Sequence, residues 1–282
     1  MGSPQGVCIV TDSTSDIPRE VAAEHGITVV PLSVSIEGET FPDGTISLEE
    51  FFRRMDAAKE LPKTSQPPVG AFVETFKEKL ETFSDVVCIT ISNRLSGTYE
   101  SAMEAARSVG DRVHVLDSLN LSWGEGYQVV EAAKAAASGD TVAQIKDRFE
   151  ALRGRVNMIV GLDSVDNLAK GGRIGRVTAL VGGLLKMRVM LTVAEDGAFE
   201  PVGRARGAIA ALQASVDWVA TRVDEKLPAD FAVQHALSPD KAEWLENAIR
   251  SRFNVRELRV VEAGAVISTH TGTGWGITAV QL

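Results

Sequence analysis

Several short polar segments stand where apolar runs end, and their residue types suit one kind of chemistry. Thr11-Asp12-Ser13-Thr14 follows the run from Val7, Ser92-Asn93-Arg94-Leu95-Ser96-Gly97-Thr98 follows VVCITI, and Asp117-Ser118 follows VHVL. Lys63-Thr64-Ser65-Gln66-Pro67-Pro68 precedes a helical pattern. Hydroxyls beside the unpaired amides of helix starts are donors for an anion such as a carboxylate or a phosphate. Taken singly, Thr64 and Ser96 read as helix caps and Asp12 as a turn residue. What points to a ligand is convergence, because loops after the strands of a parallel sheet collect at its carboxyl edge.

The second half of the chain adds positive charge and glycine. Arg173 sits in Leu168-Ala169-Lys170-Gly171-Gly172-Arg173-Ile174-Gly175, where its guanidinium could fork onto a carboxylate or pair with Asp163 or Asp166. Arg204 and Arg206 fall in Gly203-Arg204-Ala205-Arg206-Gly207, which reads as a solvated basic turn before a helix. Near the C-terminus, Ser268-Thr269-His270-Thr271-Gly272-Thr273-Gly274-Trp275-Gly276 follows a strand-like VIS, and its glycines could let backbone amides approach an anion. Neither a dinucleotide fingerprint nor a Walker loop is present. Gly-x-Ser-x-Gly and His-Glu-x-x-His are also missing, so no catalytic residue, metal or cofactor is assigned. A Ser–His pair such as Ser96 with His270 keeps open a second reading, a hydrolase or small phosphotransferase acting on a lipid or other small molecule.

The elements that must hold these residues alternate in type. Val7 to Thr11, Ile27 to Val34, Val86 to Ile91 and Val113 to Leu116 read as strands. Helices are expected over Pro18 to His25, from the Ser47/Glu50 capping pattern, over Val69 to Phe83 and Tyr99 to Val109, and twice within Glu125 to Leu152. That alternation implies a mostly parallel sheet flanked by helices. The second half is less regular, with helices near Ser164 to Lys170 and Arg206 to Val223. Its strands are expected near Val189 to Val193, Phe231 to His235, Val255 to Val261 and Gly276 to Val280. The expected organisation is two α/β domains, residues 1–158 and residues 159–282, the second with a mixed sheet.

Composition narrows the function classes. The 282 residues are 44% hydrophobic, enough for real cores, and carry a net charge of −9. That balance disfavours nucleic acid, which needs a positive face. Cys8 and Cys88 both lie in apolar runs and read as small buried hydrophobes. MGSPQG lacks a basic stretch followed by an apolar one, and no apolar run approaches about 18 residues. A cytoplasmic protein without stable membrane insertion is expected.

Six segments in order resemble the DegV family of bacterial fatty-acid-binding proteins, of the kind that serves as the binding subunit of a fatty acid kinase. They are VTDSTSDIP, KTSQPP, ISNRLSGTYESA, DSLNLSWGEG, LAKGGRIG and HTGTGWG, and they span nearly the whole chain. The resemblance implies a long-chain fatty acid as ligand, held between the two domains with the head-group loops in the first and the acyl-chain pocket in the second, and with its carboxylate contacted by Thr64, Ser65, Ser96, Gly97 and His270. It matches Arg173 to the Arg of the family's Gly-Gly-Arg turn, and Arg204 and Arg206 to a turn linked with kinase docking. The implied partner is a separate ATP-dependent kinase that makes an acyl phosphate, the chain itself being no enzyme. Thr273 stands where family members commonly have Pro. Candidate lining for the acyl chain is Phe72, Phe76, Leu184, Leu185, Met187 and Met190.

Overall fold

The protein is described by a computed structural model covering residues 5–180 and 187–282. The chain divides into two compact units, Met1–Ser33 with Ser65–Gly154, and Val34–Thr64 with Arg155–Leu282. In the middle of the chain the units divide between Gly154 and Arg155. The expected contiguous N-terminal domain, residues 1–158, is corrected, because the segment 34–64 is gathered into the C-terminal unit.

The first unit is built on four parallel strands: β1 (Val7–Asp12), β2 (Thr28–Val30), β6 (Asp85–Thr90) and β7 (Val113–Asp117). Their order is β2-β1-β6-β7. β1 and β6 are buried almost throughout, as the continuous apolar runs require of a sheet covered on both faces. Alternate residues serve the two faces. Cys8, Val10, Val86 and Cys88 pack with Phe72 and Phe76 of α3 (Val69–Lys79) and with Ala102, Ala105 and Ala106 of α4 (Thr98–Val109). Phe72 and Phe76 are therefore core residues of this unit. Residues of opposite parity meet α5 (Ser122–Ala137), on which α6 (Val142–Arg153) packs. Burial nearly all around α5 explains why its sequence shows no clear polar face. A short helix, α1 (Arg19–Glu24), joins β1 to β2.

The second unit carries a six-stranded mixed sheet of β8 (Val156–Leu162), β9 (Met187–Val193), β10 (Phe199–Arg206), β11 (Ala229–His235), β12 (Val255–Glu262) and β13 (Trp275–Val280). The order is β10-β9-β8-β13-β11-β12, antiparallel except for the β11–β12 pair. α8 (Ala208–Val219) and α9 (Pro239–Arg252) close one face over Ile159, Met190, Phe231, Val233 and Ile277. Met190 thus belongs to this core, Met187 is half-buried at the start of β9, and Leu184 and Leu185 lie outside the described residues. A small sheet of β3 (Ser33–Ile36), β4 (Glu39–Pro42) and β5 (Lys63–Ser65) has the order β4-β3-β5 and carries α2 (Leu48–Ala57). Two short helices, α7 (Asp166–Lys170) and α10 (Ala265–Thr271), complete the unit.

Segment 34–64 joins the second unit for an identifiable reason. The Asp43 carboxylate accepts the amides of Ala265 at 3.0 Å and Val266 at 3.4 Å, capping α10 in place of a neighbour in sequence. The expected single strand over Ile27 to Val34 is two strands in two different sheets, since Pro31 lacks the amide that would continue a ladder.

Candidate ligand-binding site

In the second unit, Thr64 and His270 come together. The residues stand 206 positions apart, on β5 and on α10, yet Thr64 Oγ1 lies 2.9 Å from His270 Nε2. His270 Nδ1 is buried and has no partner among the described residues. It faces Gly171, where a Cβ would stand 2.3 Å from it, so only glycine leaves room for the ring. Burial, with a smaller contribution from the charge of Arg173, pushes the His270 pKa down to about 4. The ring is therefore neutral at pH 7 and bears one proton. A buried N–H without an acceptor is costlier than a bare ring nitrogen, so the proton belongs on Nε2. His270 then donates to Thr64 Oγ1, and the Thr64 hydroxyl proton is left to give to a third atom. That is what an anionic oxygen needs.

Arg173 follows the Gly171-Gly172 turn, and its guanidinium donates to the Gly171 carbonyl at 2.7 Å. Of the two pairing partners expected for it, Asp163 is engaged elsewhere. Its carboxylate accepts from Arg188 Nε and Lys241 Nζ, both at 2.8 Å, and these cations hold it below the ordinary carboxylate range against the opposing effect of burial. Lys241 also donates to the Thr273 carbonyl at 2.8 Å, and Thr273 Oγ1 donates to Asp163 at 3.3 Å. Threonine thus fastens the terminal loop by its side chain. The amides expected to face an anion there are used internally: Gly272 N–H donates to Ser268 O and Gly274 N–H to Gly272 O, each at 2.9 Å. The VIS preceding the loop is helix α10, not strand.

In the first unit, the KTSQPP segment meets the loop after β6. Gln66 Nε2 donates to Ser101 Oγ at 2.8 Å, and its Oε1 lies where a Cβ on residue 97 would be, 2.1 Å away. Gly97 is the residue before α4, and Ser96 Oγ is 2.8 Å from Thr98 Oγ1. Ser65, Ser96 and Gly97 therefore belong to one unit, while Thr64 and His270 belong to the other. Successive side chains of a strand point to opposite faces, so beside Thr64 what Ser65 can offer is its backbone. Thr64 lies on a strand and Gly97 is the α4 cap, so neither Thr64 nor Ser96 is the simple N-cap each suggests alone.

Arg204 and Arg206 are exposed and lie on β10, two residues apart and so on one face of the strand, a correction to the expected turn. Among the described residues no group of His, Cys, Asp and Glu is arranged to hold a metal ion. None of the described helices is long and apolar enough to cross a membrane.

Comparison with known proteins decides the family. The model described as "Uncharacterised protein, DegV family" matches residues 6–282. The chain belongs to the DegV family. A DegV domain-containing protein of Streptococcus pneumoniae, spr1019, is 35% identical over 271 residues, covering 95% of this chain and 96% of that one. Among solved DegV structures, the chain is similar to a fatty-acid-binding DegV protein from Thermus thermophilus, with 32% identity, TM-score 0.94, and coverage of 99% and 100%. DegV from Bacillus subtilis, described as a fatty acid binding protein, is 28% identical with TM-score 0.88 and coverage of 99% and 100%. A stearic-acid-binding protein from Eubacterium ventriosum is 26% identical with TM-score 0.83 and coverage of 97% of both chains.

Two features of this DegV chain escaped the sequence reading. Gly171 fixes the His270 ring by a close approach, and the only trace in sequence is its place in a Gly-Gly pair. Asp163 and Lys241 fasten the terminal loop from 110 and 32 residues away, and only folding brings them together.

Proposed function

We propose that this chain binds a long-chain fatty acid, holds its carboxylate with Thr64, Ser65, Ser96, Gly97 and His270, and presents it to a separate ATP-dependent fatty acid kinase. The observation that carries this reading is the Thr64–His270 pair. A neutral, buried imidazole polarises a threonine hydroxyl toward an acceptor that the described residues do not supply. A carboxylate bound by hydroxyls and amides escapes the cost of an unpaired buried charge. Each methylene of the acyl chain removed from water contributes about 0.8 kcal/mol, so the tail supplies most of the affinity and the head group supplies orientation. Descriptions of the Thermus, Bacillus and Eubacterium relatives as fatty acid or stearic acid binders support the ligand class. In this reading the chain performs no chemistry, the kinase forms the acyl phosphate, and Arg204 and Arg206 meet the kinase.

Native mass spectrometry of the purified chain is the direct test, with a co-purified or added fatty acid expected in the spectrum. Thr64→Val and Ser96→Ala should each weaken palmitate binding by about 1–3 kcal/mol, the value of a hydrogen bond to a charged group. A protein that binds no palmitate, or variants that bind it as tightly as the parent, would overturn the proposal.

A further inference from the structure

The first unit buries an acidic cluster that the ligand contacts do not use. Asp12 ends β1, Glu125 lies in the first turn of α5, and Thr11 and Thr14 stand between them, all four with 0% exposure. Asp12 accepts three donors: the Thr14 amide at 2.9 Å, the Thr14 hydroxyl, and the Ile91 amide at 2.9 Å. The Thr11 hydroxyl donates to Glu125 Oε1 at 3.1 Å. Glu125 Oε2 lies 3.3 Å from the Thr14 hydroxyl.

Proton counting constrains this arrangement. Thr14 Oγ1 has one proton and two carboxyl neighbours, so it can donate to only one of them. Were both acids ionised, the other contact would set a carboxylate lone pair against a hydroxyl lone pair. Asp12, with three donors, is the acid the fold keeps ionised. Glu125 must then supply the missing proton.

We propose that Glu125 is an un-ionised carboxylic acid at neutral pH, donating from Oε2 to Thr14, which donates to Asp12, and that this relay positions the Ser92–Thr98 loop through the Asp12–Ile91 bond. Ile91 is the last residue before that loop, which carries Ser96. β1 and β6 are the neighbouring strands from which the order runs outward in both directions, the place where ligands sit in open α/β sheets. The backbone around the cluster is strained in keeping with such a role: Asp16, Leu119 and Ser122 all hold left-handed conformations, with φ of 50°, 49° and 49°. Ser122 Oγ donates to Asp16 at 2.5 Å.

The titratable groups that act on Glu125 are Asp12 on β1 and Asp16 after the turn at Ser13–Ser15, while Cys88 on β6 packs on the other face of the sheet against α3 and α4. Burial first, then the charge of Asp12, raises the Glu125 pKa well above the ordinary carboxylate range. The folded state therefore holds a proton that the unfolded chain releases above its own carboxylate pKa. Stability must fall as pH rises from there toward the folded value.

The protonation claim stands by itself, whereas the positioning claim rests on the fatty-acid reading, and the test separates them. Infrared spectra of the full chain labelled with carbon-13 glutamate should show, at neutral pH, an un-ionised carboxyl stretch that moves with the label and disappears in Glu125→Gln. Glutamate carboxyls that are all ionised at neutral pH would overturn the relay without recourse to any variant. Urea midpoints should decline with rising pH in the parent and less steeply in Glu125→Gln, which keeps a donor for Thr14 and an acceptor for Thr11. Equal slopes would count against Glu125. Glu125→Ala should weaken palmitate binding roughly tenfold, the effect of a lost hydrogen bond, and Glu125→Gln should restore it. Failure of Gln to restore binding would refute positioning by the relay. A parent protein that binds no palmitate would refute the fatty-acid reading while the infrared band still decides the proton.

Discussion

At the scale of single residues, the second unit's site rests on one proton on one imidazole. His270 is neutral in the fold because burial outweighs any gain from charging it, and the nearby guanidinium of Arg173 acts in the same direction. Between pH 6.5 and about 4 the unfolded chain therefore binds a proton that the folded chain refuses, and stability drops as pH falls through that range. The loss from this residue is at most about 3 kcal/mol. His270→Gln keeps a side-chain donor for Thr64 and should show a shallower acid loss, read from urea midpoints at neutral and mildly acidic pH. His235 is also depressed, and Asp163 is held low by its cations, so both add to the acid loss in parent and variant alike. Their contributions cancel in the comparison. Thr64 and His270 were singled out by the resemblance of KTSQPP and HTGTGWG to DegV segments, since taken singly Thr64 reads as a cap and His270 as a structural histidine. Sequence reading missed Glu125, although that residue is the one charge in a long small and apolar stretch, SWGEGYQVV, which is where an un-ionised acid would be expected to stand.

Elements were legible wherever a local signal sufficed. The first unit's strands and helices follow from apolar runs bounded by caps, and the Ser47 hydroxyl does accept the Glu50 amide, although the Glu50 carboxylate turns instead to Arg53 and Arg54. In the second unit β4, β5, β8, β10, α9 and α10 were not foreseen. β10 is a sheet edge with a register shift between Pro201 and Gly203, so its alternation is broken. α9 did carry a readable start, Ser238 followed by Pro239 at the first helical position. α10 is seven residues long and lacks a side-chain cap from its own neighbours, being completed by Asp43 from 222 residues away. Asp43→Ala should cost about 1 kcal/mol, the value of a lost N-cap, and Asp43→Asn much less. Chemical denaturation measures the difference, and amide exchange at Ala265 and Val266 should quicken only in the alanine variant.

For the whole molecule, the sequence supports two α/β units and a boundary near residue 158, and the structure moves one segment between them. The chain passes from unit to unit after Ser33, after Thr64 and after Gly154. A fragment of residues 1–158 would keep Asp43 and Thr64 but lose α10, the helix both of them serve. Such a fragment should therefore be cut rapidly by protease within residues 34–64, while the same segment resists in the full chain. Equal resistance in fragment and full chain would show that segment 34–64 holds its shape without its C-terminal partners.

The passage between Thr64 and Ser65 has an evolutionary corollary. Two adjacent codons serve different halves of the protein, and a third stretch of gene, for residues 34–64, is nested inside the coding sequence of the other half. Recombination could not lift either half intact into a new gene by a single cut. Moving either half alone would need a second cut and a rejoining of the chain.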